Sequence, residues 1–371
     1  MGEAFLHQAG NGLRFKSLSA SLPAPYNVFY AGQAIDISHA VITANLGKVT
    51  MQVPHGSCVV SPSTATAGLT AITVSFTIGG TTRTATIPIT VLSFSSTFAN
   101  NTWAQIAQAA HYGFPKYLWQ PGDTKTLTIG STTHTIRIIG FDNDPLNEND
   151  AKYNDPTYNR GTKKAALALQ WYTPAGNGSI HNTSNSYVYW ENSRMRLTTL
   201  PALKASLPDD VKNNIRTVDK WFHFIYGDGS SYAGSIMPEL WNWRDVVSGA
   251  LLPEELFLLG SFDSNYANRS MVGFDVLRVD SYYQLFEHTW TESGNPADGD
   301  SKTDTGYITG DYQSYDPKYG EWSRVCVGSI TSRNYLRLIK KDQINNADSN
   351  YKKYTVREQT LSLPYFPVFN F

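Results

Sequence analysis

The sequence predicts a multidomain protein in which an all-β sandwich is followed by a larger α+β domain. Between residues 23 and 92, short runs of β-branched and aromatic residues are separated by Gly and Pro, as in strands joined by tight turns. After residue 102, helical periodicity and strand-like alternation follow one another. The chain has 371 residues, 41% of them hydrophobic, which is enough for about two or three domains with cores of their own.

The first hundred residues divide into three predicted segments. Residues 1–20 mix Gly, Asn and Ser with isolated Phe and Leu, and we predict an N-terminal attachment arm, because so few apolar side chains cannot offset the entropy of ordering. Residues 21–92 form the predicted sandwich, with a hairpin turning at Gly79-Gly80 in "FTIGGTTRTATI". Residues 93–101 are small and polar and are predicted to be a linker.

The α+β domain, residues 102–371, is predicted to open with the helix "WAQIAQAAHYG". Asn101 or Thr102 is the expected N-cap and Gly113 the stop. The predicted buried face consists of Trp103, Ile106, Ala107 and Ala110. "DTKTLTIG" and "THTIRIIGFD" then alternate as a two-stranded hairpin, and "AALALQWY" is a third strand or a short buried segment.

The stretch "YVYWENSRMRLTTLPALKASLPDD" begins as an aromatic and cationic cluster and continues as a helix. Ser193 is the predicted N-cap, and Pro201 indicates either a kink or two short helices. A further helix is predicted to start at Pro208, where acids follow in the first turn. The predicted buried stripe is Met195, Leu197, Leu200 and Leu203.

Two interpretations of this cluster are open. Arg194 and Arg196 in a first helical turn would suit a bound anion, whereas pairing with local carboxylates on the domain surface requires no ligand and is favoured.

The charge balance argues against polyanionic partners. Lys and Arg total 30 against 31 Asp and Glu, a formal charge of −1, so no general attraction to nucleic acid is expected. Charged residues make up only 16% of the chain and aromatic residues 13%, a balance that favours β-rich surfaces that contact a partner.

Neither the cysteines nor the N-terminus suggests export. Cys58 and Cys326 form no CxxC or Cys/His cluster, so a disulfide framework or structural zinc site is not expected. The N-terminus has no basic region followed by an apolar run, and no eighteen consecutive apolar residues occur. We therefore expect synthesis in the cytoplasm without a signal peptide and without membrane insertion.

Motifs that carry catalysis are not recognised, and no cofactor is predicted. "GDGSSYAG" lacks the second Gly of a nucleophile elbow, and the eight histidines include no HExxH. Two acidic loops offer oxygen ligands that calcium could use, although solvated loops explain them more simply. Their residues are Asp142, Asp144, Asn147, Glu148 and Asp150 in one loop and Asp298, Asp300 and Asp304 in the other.

A Tyr-rich region near the C-terminal end is the predicted ligand-binding surface. Its "TGYITGDYQSYDPKYGEW" interleaves aromatic rings with short polar residues, which is the chemistry of antibody paratopes. The residues predicted to bind are Tyr312, Tyr315, Tyr319 and Trp322. The alternative, that these loops only cover a β-rich core, is equally open.

The sandwich segment resembles the bacterial Ig-like domains of surface and phage proteins. The matching stretches are "YAGQAIDI", from Tyr30 to Ile37, and "IPITV", from Ile87 to Val91. The resemblance implies an Ig-like sandwich that serves as a spacer or an adhesion module.

The rest of the chain resembles DUF6273, a family of uncharacterised domains common in gut Firmicutes and their phages. The resemblance lies in the order of "TWAQIAQAAHYG", "GDTKTLTIGSTTHTIRIIGFDND", "WENSRMRLTTL", "LPDDVKNNIRTVDK" and "ELFLLGSF". It implies an α+β domain and points to a relation with the C-type-lectin-like fold of formylglycine-generating enzymes and variable phage adhesins. Such an analogy carries no activity with it. Under this resemblance Trp190, Ser193, Met195 and Arg196 are a structural signature that places the helix on the sheet.

Together these features predict a non-enzymatic bacteriophage virion protein. Its expected partners are other virion proteins, bound through the N-terminal arm, and a host-surface glycan or protein, with several copies or a homo-oligomer in the particle. A purely structural capsid-decoration or tail protein is the alternative, and an enzyme acting on host glycans is the third hypothesis.

Overall fold

The computed structural model describes residues 14–178, 193–226, 246–258, 321–328, 333–338, 354–358 and 363–371. Strands dominate these residues and helices are few, in agreement with the β-rich multidomain class predicted from the sequence. The chain divides into two compact units. One comprises the residues through Ser96 with Tyr112–Phe114 and Pro156–Thr162, and the other comprises Thr97–His111, Pro115–Asp155 and Lys163–Phe371.

The first unit is built of short strands: β1 (Ser17–Ser21), β2 (Val28–Tyr30), β3 (Val41–Asn45), β4 (Thr50–Gln52), β5 (Val59–Ser61), β6 (Ala71–Ile78), β7 (Thr81–Pro88) and β8 (Thr90–Leu92). They form two three-stranded antiparallel sheets, with orders β1-β3-β4 and β5-β6-β7, and a parallel pair of β2 with β8. Short 3-10 turns lie at His55–Ser57 and Tyr158–Gly161.

One hydrophobic core joins the two three-stranded sheets. Ile42 of β3, Val74 of β6 and Ile87 of β7 are at most 1% exposed within it. Phe15 and Leu18 belong to the same core, and β1 pairs with β3 along its full length. The prediction of an arm over residues 1–20 is therefore wrong at its C-terminal end, because Phe15 and Leu18 pack against residues that are distant in the sequence. Residues 1–13 lie outside the described residues.

The predicted Gly79-Gly80 hairpin is confirmed. Strands β6 and β7 pair in register from Ala71 with Pro88 to Ile78 with Thr81, leaving a two-residue loop. Both glycines have positive φ, 54° and 74°, as a turn that follows the twist of the strands requires.

Gly113 in the first unit is held against Asn159. The φ of Gly113 is +70°, and a Cβ built on it would lie 2.6 Å from Asn159 Oδ1. Asn159 itself is buried and has a left-handed φ of 44°. Gly113, predicted as a helix stop, is thus also required by close packing.

We expect Gly113→Ala to destabilise the protein more than Gly80→Ala. Each alanine has to adopt positive φ, at a cost of about 1–2 kcal/mol. A Cβ at Gly80 meets open space, whereas the one at Gly113 meets Asn159 and adds about 1–3 kcal/mol of overpacking. Denaturant unfolding of both variants measures this difference, and equal losses would contradict the close packing.

The second unit carries the described α-helices. These are α1 (Trp103–His111), α2 (Pro115–Leu118), α3 (Leu200–Ser206) and α4 (Asp209–Lys212), with a 3-10 turn at Phe98–Asn100 and a π-helical turn at Met195–Thr199. Thr102 is the N-cap of α1: its Oγ1 accepts a bond from Gln105 N, and Gln105 Oε1 accepts one from Thr102 N. This reciprocal capping box fixes the start of the helix.

The buried face of α1 differs from the prediction at one position. Trp103, Ile106 and Ala110 are buried as expected, but Ala109 is buried in place of the half-buried Ala107. Phe98, inside the predicted linker, is 1% exposed and its ring centroid lies 5.1 Å from that of Trp119. The buried Phe98 side chain therefore places the last part of the predicted linker in the core of the second unit.

The described strands of the second unit are β9 (Thr124–Ile129), β10 (Thr132–Gly140), β11 (Ala168–Trp171), β12 (Gly176–Gly178), β13 (Val218–Tyr226), β14 (Val246–Glu254), β15 (Leu256–Phe257), β16 (Glu321–Gly328), β17 (Arg333–Leu338), β18 (Tyr354–Glu358), β19 (Leu363–Tyr365) and β20 (Val368–Asn370). They form two five-stranded sheets, with orders β15-β20-β11-β10-β9 and β14-β13-β16-β17-β18, and a β12-β19 pair. The predicted hairpin of β9 with β10 and the strand in "AALALQWY" are both confirmed.

Strand β20 lies inside the first of these sheets. It pairs antiparallel with β11 on one side and with β15 on the other. Its neighbour Phe371 exchanges backbone bonds with Leu167. The last residues of the sequence are therefore buried core.

Candidate functional site

The 193–215 region folds as capped, interrupted helical turns. Ser193 caps them as predicted, since its Oγ accepts a hydrogen bond of 3.1 Å from Arg196 N. Leu200 N–H donates to Met195 O, five residues back, which makes the turn before Pro201 π-helical. The wider turn changes the predicted stripe: Met195 and Leu200 are buried, Leu203 is half-buried and Leu197 is 55% exposed.

Arg196 contacts a carboxylate of the protein. Its Nε donates to Glu254 Oε1 at 2.8 Å and its Nη2 donates to Pro253 O at 3.1 Å. The Glu254 side chain is only 4% exposed, against 19% for Arg196. These contacts favour the ion-pair interpretation, with the partner 58 residues away in sequence instead of nearby.

A polar cleft lies beside this ion pair. It consists of two adjoining depressions of about 470 and 340 Å³ that share Pro201, Lys204, Thr217 and Glu255 in their walls. Lys204 Nζ lies 2.5 Å from Glu255 Oε1. The walls of the cleft carry four cationic side chains, Arg196, Lys204, Lys212 and Arg216, and three carboxylates, Asp150, Glu254 and Glu255, so the cleft is not a strong site for an ion of either charge.

The acidic loop considered for calcium sends its carboxylates to different partners. Asp142 Oδ2 lies 2.7 Å from Lys116 Nζ, and Asp150 Oδ2 accepts a bond of 2.7 Å from Thr217 N. Asn147 Nδ2 donates to Asp219 Oδ1. In the part of the chain that the structure describes, no three His, Cys, Asp or Glu residues are gathered as metal ligands. Asp298, Asp300 and Asp304 lie outside that part.

Asp144 of the same loop is the centre of a buried polar triad. Lys220 Nζ donates to Asp144 Oδ1 at 2.8 Å, and Asn370 Nδ2 donates to Asp144 Oδ2 at 2.9 Å. Asp144 and Asn370 are each 1% exposed and Lys220 is 4% exposed. One carboxylate therefore holds an amine and a primary amide side by side in the protein interior.

Backbone hydrogen bonds fix the three elements that carry this triad. Asp144 O accepts from Ala165 N at 2.9 Å, and Asn370 O accepts from Arg216 N at 2.8 Å. Leu146 forms a β-bridge with Val218, at the start of the strand that carries Lys220. Backbone pairing therefore fixes the relative positions of the three residues, and their side chains alone do not have to hold the triad together.

Sequence reasoning did not find this triad. Its members are separated by 76 and 226 residues from Asp144, so no spacing rule applies. One signal was present: Lys220 opens the apolar run "KWFHFIY", where an amine has to be buried with a partner. The sequence marks Asp144 only as one of the oxygen ligands that calcium could use.

The residues predicted to bind a ligand are not brought together in the described part. Tyr312, Tyr315 and Tyr319 lie outside the described residues, as does Trp190 of the structural signature. Trp322 lies in β16, where only the backbone is described. Met195 packs onto β12: a Cβ at Gly178 would lie 3.2 Å from Met195 Cε.

The fold and site define a β-rich protein of two compact units whose second unit has a buried Lys-Asp-Asn triad. Comparison with protein-family models, with curated proteins and with solved structures gives no match for the chain. Among the described helices, none has the length and apolar character needed to cross a bilayer.

Proposed function

We propose that the chain is a non-enzymatic bacteriophage virion protein that is displayed on the particle and attaches it to the host. In this proposal the first unit is an Ig-like spacer, and the second is a DUF6273-like domain related to the C-type-lectin-like fold. The N-terminal residues bind other virion proteins, and several copies act together on a host-surface glycan or protein.

The observation that carries the proposal is that three carboxylates of the second unit are bound to groups of the chain itself. Asp144, Glu254 and Asp150 bind Lys220, Arg196 and the backbone N–H of Thr217, respectively. Carboxylates bound to groups of the chain itself are not directed at a bound substrate, which favours a binding or structural role over acid-base catalysis on a host glycan. The Tyr-rich sequence between residues 307 and 322 then supplies the recognition chemistry.

The experiment uses the full chain, coupled in several copies to a bead so that weak sites act together. We expect saturable binding to susceptible cells, and at least about a tenfold loss when Tyr312, Tyr315, Tyr319 and Trp322 are all replaced by alanine, because aromatic anchors carry most of an interface's binding energy. Tyr117→Ala, at a side chain that is 59% exposed, is the control and should bind normally.

Two outcomes would replace the proposal. If the multivalent chain does not bind cells that the intact particle infects, the structural role in the capsid or tail takes its place. If capsule or cell-wall material incubated with the chain releases soluble sugars, the protein is a glycan-acting enzyme. Mass spectrometry of purified particles tests the virion location independently.

A further inference from the structure

We propose that Lys220 and Asn370 join through an intramolecular isopeptide bond, formed by the protein itself with Asp144 as the proton carrier. The proposal concerns the chemistry of the second unit and holds whether or not the chain binds a host. It rests on the geometry of the buried triad, the surroundings of the triad and the bond chemistry of an amine and a primary amide.

The two reacting groups are held by one carboxylate. Lys220 Nζ and Asn370 Nδ2 donate to the two different oxygens of Asp144, at 2.8 and 2.9 Å. The carboxylate therefore places the amine and the amide next to each other, which replaces a bimolecular encounter by a step within one folded unit. Because strands β13 and β20 and the Asp144 loop are backbone-paired, this placement is maintained.

The surroundings favour a neutral reaction path. All three side chains are at least 96% buried, and Lys220 Nζ lies 5.0 Å from the centroid of the Phe257 ring. Separate charges are costly in such an interior. Transfer of one proton from Nζ to Oδ1 along the existing hydrogen bond removes both charges and gives the amine the lone pair that a nucleophile needs.

The acceptor amide is also unusual for a structural asparagine. Asn370 Nδ2 donates to Asp144, but Asn370 Oδ1 is buried and has no hydrogen-bond partner among the residues that the structure describes. Buried amide oxygens are usually hydrogen-bonded, so an unsatisfied one in a polar cluster calls for an explanation. A role in a reaction is one that the geometry here supports, because the Asn370 amide lies beside a buried amine.

The atoms balance without any added reagent. The Nζ lone pair of Lys220 attacks Cγ of Asn370, so an N–C bond forms and the bond from Cγ to Nδ2 breaks. The proton lost by Nζ passes through Asp144 to Nδ2, which leaves as ammonia, and Asp144 retains one proton. One amine and one primary amide have become one secondary amide and one ammonia, and nothing is oxidised or reduced.

The bond would lock the C-terminal strand into the second unit. It joins β13 to β20, a strand with pairing partners on both sides, and closes a long loop between them. A covalent closure of this kind restricts the unfolded chain and keeps the terminal strand in place under force or protease attack.

The test is the intact mass of the folded full-length chain, followed by protease digestion and peptide sequencing. We expect the main species to be lighter than the sequence mass by one ammonia, and the digest to contain a branched peptide that joins Lys220 to Asn370. Lys220→Arg, which keeps the cation, and Asp144→Asn, which keeps the size, should each restore the full mass.

Two results would overturn the proposal. A folded wild-type chain that keeps the full sequence mass after prolonged incubation contains no such bond. Loss of ammonia that persists in Lys220→Arg, with linear peptides only, would show ring closure of an asparagine on its own backbone instead. The test does not depend on whether the Asp144 variant folds, because the wild-type mass and the branched peptide by themselves show whether the isopeptide bond is present.

Discussion

Phe369→Ala is expected to destabilise the second unit by about 3–5 kcal/mol, as truncation of a fully buried aromatic side chain usually does. Phe369 is 0% exposed and lies in β20 between β11 and β15. Its ring centroid lies 5.2 Å from that of Trp171 and 5.4 Å from that of Phe371. Alanine would leave a cavity inside this aromatic cluster.

Denaturant unfolding followed by circular dichroism measures this loss. Tyr117→Ala is the matched control, because it also removes an aromatic ring but from a site that is 59% exposed. The control should change the free energy of unfolding by less than about 0.5 kcal/mol. A loss below about 1 kcal/mol for Phe369→Ala would mean that β20 does not occupy the interior position described here.

Arg196→Met is expected to cost about 3–5 kcal/mol, because it takes the cation away from a buried carboxylate. The Glu254 side chain is 4% exposed and cannot exchange its partner for water at low cost. Glu254→Gln should cost less, since Arg196 is more exposed, at 19%, and keeps its bond to Pro253 O. The double variant Arg196→Met/Glu254→Leu should recover part of the loss.

Unfolding free energies of the three variants form the comparison, and cell binding by the same variants is the second readout. If the ion pair is structural, binding should fall only as far as the folded fraction falls. An Arg196→Met chain that keeps its stability and yet loses binding would instead place the cleft beside α3 at the ligand site.

Features coded over short distances in the chain were predicted well. The capping oxygens of Thr102 and Ser193, the paired glycines at 79 and 80 and the hairpin of β9 with β10 follow from groups within a few residues of each other. Their hydrogen bonds and allowed backbone angles are decided locally, so the same signals hold in any tertiary context.

The errors came from residues whose partners are distant. Phe15 and Leu18 are isolated apolar residues in the sequence, but strands β3 and β6 supply the apolar surface that buries them. The predicted stripe through Leu197 assumed regular α-helical turns, whereas the backbone bond from Leu200 to Met195 widens one turn and leaves Leu197 exposed.

The sequence by itself determined the β-rich class, the local caps and turns, and a nearly neutral formal charge. Only the tertiary structure decided that β20 enters the interior of a sheet and that Asp144, Lys220 and Asn370 share one buried site. The physical reason is that burial and long-range strand pairing depend on the whole folded unit, while caps and turns depend on neighbouring residues.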